Sequence, residues 1–320
     1  MKKPRLILYW FICFVLLSAL AGCQPASSTG IAPIPQSTLA SIATALPSPS
    51  SAPTNTPEPV FTSVPNSIRQ SDDMEMVFVP AGKFTMGGEG GEPDEGPIHE
   101  VYLDAYWMDL TEITNAMYGL CVEAGACMPP VELSSYTHEN YFGNALFANY
   151  PVIFVDWSMA NAYCQWAGVR LPTEAEWEKA ARGEGARIFP WGEAWDVQKY
   201  KRLNFADRSN PELAADLSAN DGYRDTAPVG SFPAGRSPYG IYDLDGNVWE
   251  WVADWYDPLY YNYSPMNNPQ GPEGPTQDIT MRSTRGGGWV AANENVFHTY
   301  NRHGVVPDSV SSSIGFRCAR

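Results

Sequence analysis

The sequence predicts an α+β domain with few regular elements and long loops, preceded by a segment of a different kind. Three observations predict it. Residues 76–108 are rich in short strand patterns, and three helices are marked by their caps between residues 114 and 183. Beyond residue 184 Trp, Gly, Pro, Asn and Asp dominate, and only short strands remain legible.

The chain opens with an export signal. Lys2, Lys3 and Arg5 give a positive start. Leu6 to Leu20 form an apolar run of about 15 residues, shorter than the roughly 20 that cross a bilayer as a helix. The run ends in Leu20-Ala21-Gly22-Cys23, which resembles the lipobox of bacterial lipoproteins, where the cysteine takes the lipid and becomes the mature N-terminus. On this reading residues 1–22 are removed and acyl chains on Cys23 anchor the protein to a membrane, two chains being enough for stable anchoring. The protein then lies in the bacterial cell envelope, facing outside the cytoplasm. An uncleaved anchor helix from Leu6 is the competing reading and gives the same sidedness.

Residues 23–71 are expected to be a tether. The stretch from Leu46 to Pro59 is Ser, Thr, Pro and Ala with almost no charge, and buries too little apolar surface to offset the entropy of ordering. Fully extended, the tether reaches on the order of 150 Å. Loss of Lys2, Lys3 and Arg5 takes the formal net charge from −16 to −19, which disfavours nucleic acid and anionic membrane surfaces as partners. With 18% charged and 13% aromatic residues, the composition is that of a folded domain rather than an acidic tail.

The domain is expected over residues 72–320. Met76 to Gly87 reads as strand, turn at Pro80-Ala81-Gly82, and strand; Ile98 to Met108 is a second β-rich stretch. The first helix is predicted from Asn115 to Ala124, after Thr114 and before Gly125. The second starts after Ser158, carries Ala160, Tyr163, Cys164 and Ala167 on one face, and stops at Gly168. The third follows the capping box Thr173-Glu-Ala-Glu176 and ends at Gly183. Short strands are predicted at Gly240–Tyr242, Thr284–Val290 and Gly315–Ala319. Loops this long in one domain call for staples.

Four cysteines fall in the domain, and four allow three pairings. The short separation of Cys121 and Cys127 favours a local loop, which leaves Cys164 for Cys318.

Five segments, in this order, resemble the formylglycine-generating (sulfatase-modifying factor) family. They are Val79 to Gly87, Arg170-Leu-Pro-Thr-Glu-Ala-Glu-Trp-Glu178, Gly246-Asn-Val-Trp-Glu-Trp251, Arg285-Gly-Gly-Gly-Trp289 and Ile314-Gly-Phe-Arg-Cys318. The resemblance covers roughly residues 74–320. It implies a fold related to C-type lectins, and it too implies that Cys164 pairs with Cys318. It further implies structural calcium. Asp243 and Glu250 would bind through side chains with the carbonyls of Gly246 and Val248, and Asn204 and Asp221 with the carbonyls of Phe205 and Tyr223. Ca²⁺ takes six to eight oxygens of both kinds. By spacing alone Asp243-Leu-Asp-Gly is more simply an ordinary turn with solvated carboxylates.

The resemblance also says what chemistry to look for. Formylglycine-generating enzymes oxidise a peptide cysteine to an aldehyde with oxygen, through two cysteines five residues apart that hold copper(I), which selects soft thiolates. Aligned on Gly287 and Trp289, those positions are Ala291 and Val296, and no cysteine lies between residues 165 and 317. Copper is therefore not expected. His298 and His303, with Glu294 and Asp308, offer the ligand types of non-haem iron in no recognised spacing; surface and hydrogen-bonding histidines are the plainer reading. The tryptophans Trp249, Trp251 and Trp255 are expected in the core, while Trp195, Tyr239, Trp289, Phe297 and Tyr300 include candidates to floor a groove for a peptide or sugar, with His298 and His303 nearby. Two classes follow: a tethered, calcium-stiffened ligand-binding module, or an oxidase, either of the formylglycine type or iron-dependent.

Overall fold

The computed structural model describes residues 65–320 apart from Val197 and Gln277. The expected signal, Cys23 and most of the expected tether lie outside the described residues. Regular structure begins at β1 (Ser67–Ile68), ahead of the boundary expected at residue 72. The cause is Arg69, which is buried and bound to Asp72 at 2.6 Å and to Asp109 at 2.7 Å. The last tether residues are thereby drawn into the sheet.

The β-rich first third folds as read. β2 (Glu75–Val79) lies between β1 and β5 (Tyr106–Asp109) in an antiparallel sheet, and β3 (Gly82–Met86) pairs with β4 (His99–Leu103). Three helices follow. In α1 (Asn115–Glu123) the Thr114 hydroxyl accepts from the Met117 amide. In α3 (Glu174–Arg182) the capping box is complete: Thr173 Oγ1 accepts from the Glu176 amide at 3.1 Å and Glu176 accepts from the Thr173 amide at 2.8 Å. In α2 (Trp157–Trp166) the cap is Asp156, not Ser158. Both residue types cap well, and here Asp156 has the extended backbone and accepts from the Met159 amide at 2.8 Å. The expected face, Ala160, Tyr163, Cys164 and Ala167, is the buried one.

The central sheet departs further from expectation. Its order is β8-β7-β6-β9, with β6 (Trp249–Trp255), β7 (Arg282–Arg285), β8 (Arg302–Val305) and β9 (Ile314–Phe316); only the β6–β9 pair is parallel. β7 stops at Arg285 because Gly286 and Gly287 turn the chain with φ of 93° and 70°. Gly240–Tyr242 is not a strand; Tyr242 donates a single amide bond to Leu110.

Two buried clusters fill the space between these layers. One joins β2–β5 to Ala175, Trp177, Ala180 and Ala181 of α3; the other joins α1 and α2 to Trp251 and Phe316. The disulfides are Cys121–Cys127 and Cys164–Cys318, the second closing 154 residues of chain inside the second cluster.

Buried charge ties α3 to the sheet. Arg285 reaches Glu174 at 2.9 Å and Glu178 at 2.7 Å, and Arg302 reaches Glu174 at 2.7 Å. Arg182 bonds Glu178 at 2.7 Å. Glu250 of β6 is held by Arg317 and by Trp177 Nε1.

Candidate functional site

β8 is an edge strand, and the ground beside it is open. A cleft of about 550 Å³ forms there, within the roughly 300–1,000 Å³ typical of ligand pockets. Its walls come from four places: Glu92 and Asp94 of the loop after β3, Trp249 at the start of β6 and Tyr256 just past its end, Asn293, Asn295 and Val296, and Asn301 to His303.

Each wall is pinned. The Arg302 guanidinium turns inward, donating to both Glu174 oxygens at 2.7 and 2.8 Å and to the carbonyls of Asp257 and Asp94 at 3.0 and 3.3 Å. Burial opposes its charge, but Glu174 beside it holds the guanidinium protonated above its ordinary range. Tyr256 donates to Asp94 Oδ2 at 2.6 Å. Asn293 Oδ1 accepts from the Asn295 amide at 3.2 Å, closing the turn between them. Behind the cleft Glu95 accepts from Asn301 Nδ2 at 2.7 Å and from the Glu92 amide at 3.1 Å, tying the acidic loop to β8. Burial pushes the Glu95 carboxyl up to about 7, the Asp94 charge adds to this, and the Asn301 bond works against it.

The residues expected to floor a groove divide. His303 is exposed, lines the cleft and packs against Trp249 with ring centres 5.8 Å apart. Trp289, His298 and Tyr300 are buried. Trp289 donates to the Ser312 carbonyl at 2.9 Å and packs on Tyr136. His298 sits between Phe189 and Tyr300, where burial lowers its pKa. The two histidines thus face different surroundings, and no group of three His, Cys, Asp or Glu side chains able to hold a metal occurs among the described residues. Phe297 is fully buried and Trp195 stacks on it at 5.5 Å. Glu92, Asp94, Asn293, Asn295 and Asn301 were not singled out from the sequence. Their one signal is the alternation Asn293-Glu-Asn295 directly after the glycine turn.

The two thiol positions of the resembled family also divide. Val296 lines the cleft, whereas Ala291 packs against the cluster of Phe189, Leu203, Phe205 and Phe297. Methyl and isopropyl groups offer copper(I) no donor. All four cysteines among the described residues are in disulfides.

The calcium sets fit unequally. Asn204 Oδ1 is buried with no partner, and Asp221 is brought to the same loop, accepting from the amides of Phe205 at 2.9 Å and Tyr223 at 2.8 Å. Burial first, then the Asp207 charge, pushes the Asp221 carboxyl up to about 7. An unmatched carbonyl oxygen and a half-buried carboxylate are oxygen donors of the kind a hard cation takes. In the other set Gly246 is brought against the Asn204 carbonyl, where a Cβ would come within 2.5 Å, and Asp243 accepts from the Gly230 amide at 2.5 Å. Glu250, however, has both oxygens committed to Arg317. It is an arginine partner here rather than a free ligand.

Comparison with known proteins places these features in a class. Residues 60–320 match the sulfatase-modifying factor enzyme 1-like domain, and the chain belongs to that family. It is 35% identical over 321 residues to a formylglycine-generating enzyme of Streptomyces coelicolor, an alignment covering 87% of this chain and 96% of that protein. It is 31% identical to the inactive Cα-formylglycine-generating enzyme 2 of Bos taurus, over 77% of this chain and 88% of that one. A 34% match to serine/threonine-protein kinase pkn1 of Chlamydia caviae covers 82% of this chain but only 39% of the kinase. Among solved structures, PvdO from Pseudomonas aeruginosa superposes with a TM-score of 0.64 at 29% identity, covering 80% of this chain and 97% of its own.

Proposed function

We propose that this protein is a non-oxidising member of its family: an exported, lipid-anchored module that binds a ligand in the cleft beside β8. One observation carries the reading. Where the oxidase mechanism needs two thiolates, the cleft wall holds Val296 and the adjoining core holds Ala291, and the cysteines of the domain are locked in disulfides. A relative described as inactive shows that the family contains such proteins. The ligand is a peptide or a glycan, presented at or outside the cell envelope and reached on the tether that follows Cys23. The net negative charge disfavours nucleic acid as a partner.

Calcium stiffens the scaffold on this reading. Asn204 and Asp221, with the carbonyls of Phe205 and Tyr223, would hold one ion. Asp243, with Gly246 and Val248, would hold another only if Glu250 exchanged Arg317 for the metal. Bound calcium would fix the loops under the cleft and take no part in bond making.

The test supplies purified protein with copper(I), oxygen, reductant and a Cys-x-Pro-x-Arg peptide, beside an active formylglycine-generating enzyme. Mass spectrometry is expected to show the peptide thiol unchanged. Appearance of the aldehyde would overturn the proposal and restore the oxidase.

A further inference from the structure

The composition of the cleft narrows its ligand, granting that the cleft binds one. Charge is the first constraint. The guanidinium of Arg302 is the cation in the wall, and it is committed to Glu174 and to two backbone carbonyls. Glu92 and Asp94 supply negative charge in the same wall, Asp94 directly beside Arg302. A phosphate, sulfate or uronic acid would meet carboxylates without a free counter-charge, an arrangement that rejects rather than attracts.

Apolar surface is the second constraint. Peptide side chains anchor in apolar pockets, whereas the apolar surface of this wall is mainly the aromatic faces of Trp249 and Tyr256, with Val296 its aliphatic residue. Beside those faces the cleft offers planar polar groups. The carboxamides of Asn293, Asn295 and Asn301 each carry donors and an acceptor, and carboxylates accept at two oxygens. Asn301 is buried with its Nδ2 bound to Glu95, which leaves its Oδ1 as the acceptor. Asp94 has one oxygen held by Tyr256 and one remaining. Vicinal hydroxyls, each donor and acceptor at once, match such groups without any net charge.

The third constraint is the Trp249 ring. It is half-buried, backed by the core and flanked by His303, a rigid face of the kind that covers an apolar C–H surface beside polar edges. A ring with hydroxyls at its rim and C–H groups on its faces meets all three constraints. We infer that the cleft beside β8 binds a neutral sugar ring of a glycan, stacked on Trp249 and held by Asp94 and the asparagine amides.

The full-length protein in detergent is applied to a panel of neutral oligosaccharides (chitotriose, mannotriose, cellotriose), a sulfated and a uronic-acid trisaccharide, and extended peptides including Cys-x-Pro-x-Arg. Binding is read by titration calorimetry and tryptophan emission. At least one neutral oligosaccharide is expected to bind and the anionic ones not. Trp249→Ala, and separately Asn295→Ala at an exposed position, are expected to weaken that binding about tenfold or more. Asn295→Ala should do so with unchanged melting temperature, as should Asp94→Asn, while Lys83→Ala, at the end of the β3–β4 pair away from the acidic loop, leaves binding intact. Binding of peptides alone would overturn the sugar and leave the binding module standing. Binding of anionic sugars, or sugar binding unaffected by these variants, would overturn the site. No binding of any probe would remove both.

Discussion

At the residue scale, buried charge is the feature with the largest consequences. Arg285 is fully buried and serves Glu174, Glu178 and the Thr299 carbonyl together. Removing one member of such a group strands the others, at a cost of roughly 3–5 kcal/mol. Arg285→Met is therefore expected to lower stability by about that amount in denaturant titration; a loss under about 1 kcal/mol would mean that the glutamates find other partners. Glu95 makes a second prediction. Its folded pKa, about 7, lies above that of the unfolded carboxyl, so the folded state binds the extra proton between the two values. Its contribution is thus most favourable at acidic pH and is lost as pH rises through 7. Glu95→Gln keeps the bond to Asn301 and should flatten the fall in Tm between pH 5 and 8. An unchanged slope would show that other carboxyls carry the dependence.

Among the elements, α3 is the one whose local signal and tertiary role coincide. Its capping box fixes the N-terminus, and the same turn carries Glu174, which receives Arg285 and Arg302 from two strands. Thr173→Ala should cost about 1 kcal/mol by chemical denaturation, with a larger loss indicating that Glu174 is displaced too. β6 shows the opposite relation. Its residues Trp-Glu-Trp-Val-Ala-Asp-Trp alternate, which by itself sets Glu250 and Asp254 on a solvent face. Both are buried instead, because Arg317 and Trp177 meet Glu250 and the Glu174 amide meets Asp254. Nothing local to β6 announces those partners, so the alternation marks a strand but not the burial of its acidic face.

For the whole molecule, cross-links compensate for scarce regular structure. Cys164–Cys318 closes the longer loop, and its removal typically costs 2–5 kcal/mol. Cys164→Ala with Cys318→Ala should lower Tm by several degrees, while peptide mapping of the parent recovers the pair oxidised; free thiols there would refute the cross-link. Calcium acts at the same scale. Chelation is expected to lower Tm and added Ca²⁺ to restore it, as ligand linkage requires. A Tm indifferent to chelator would dismiss both proposed sites, whereas loss of the effect in Asn204→Ala would assign it to the first.

The sequence by itself determined the family, strands β2 to β5, the caps of α1 and α3, and the local disulfide Cys121–Cys127. The family rests on five segments taken together and Cys164–Cys318 on elimination and that resemblance; the rest comes from short-range signals, namely alternation, capping residues and cysteine separation, each read within a few residues. It also determined which atoms are missing from the cleft, since a methyl or isopropyl group carries no thiolate wherever it is folded. Only the tertiary structure decided that Arg302 closes on Glu174, 128 positions away, that Glu92 and Asp94 line one cleft with His303, and that Trp289, His298 and Tyr300 lie beneath the surface while Trp249 reaches it. Side-chain direction in long loops is set by packing partners distant in the chain rather than by local propensity, and the cleft is assembled from such loops around one edge strand.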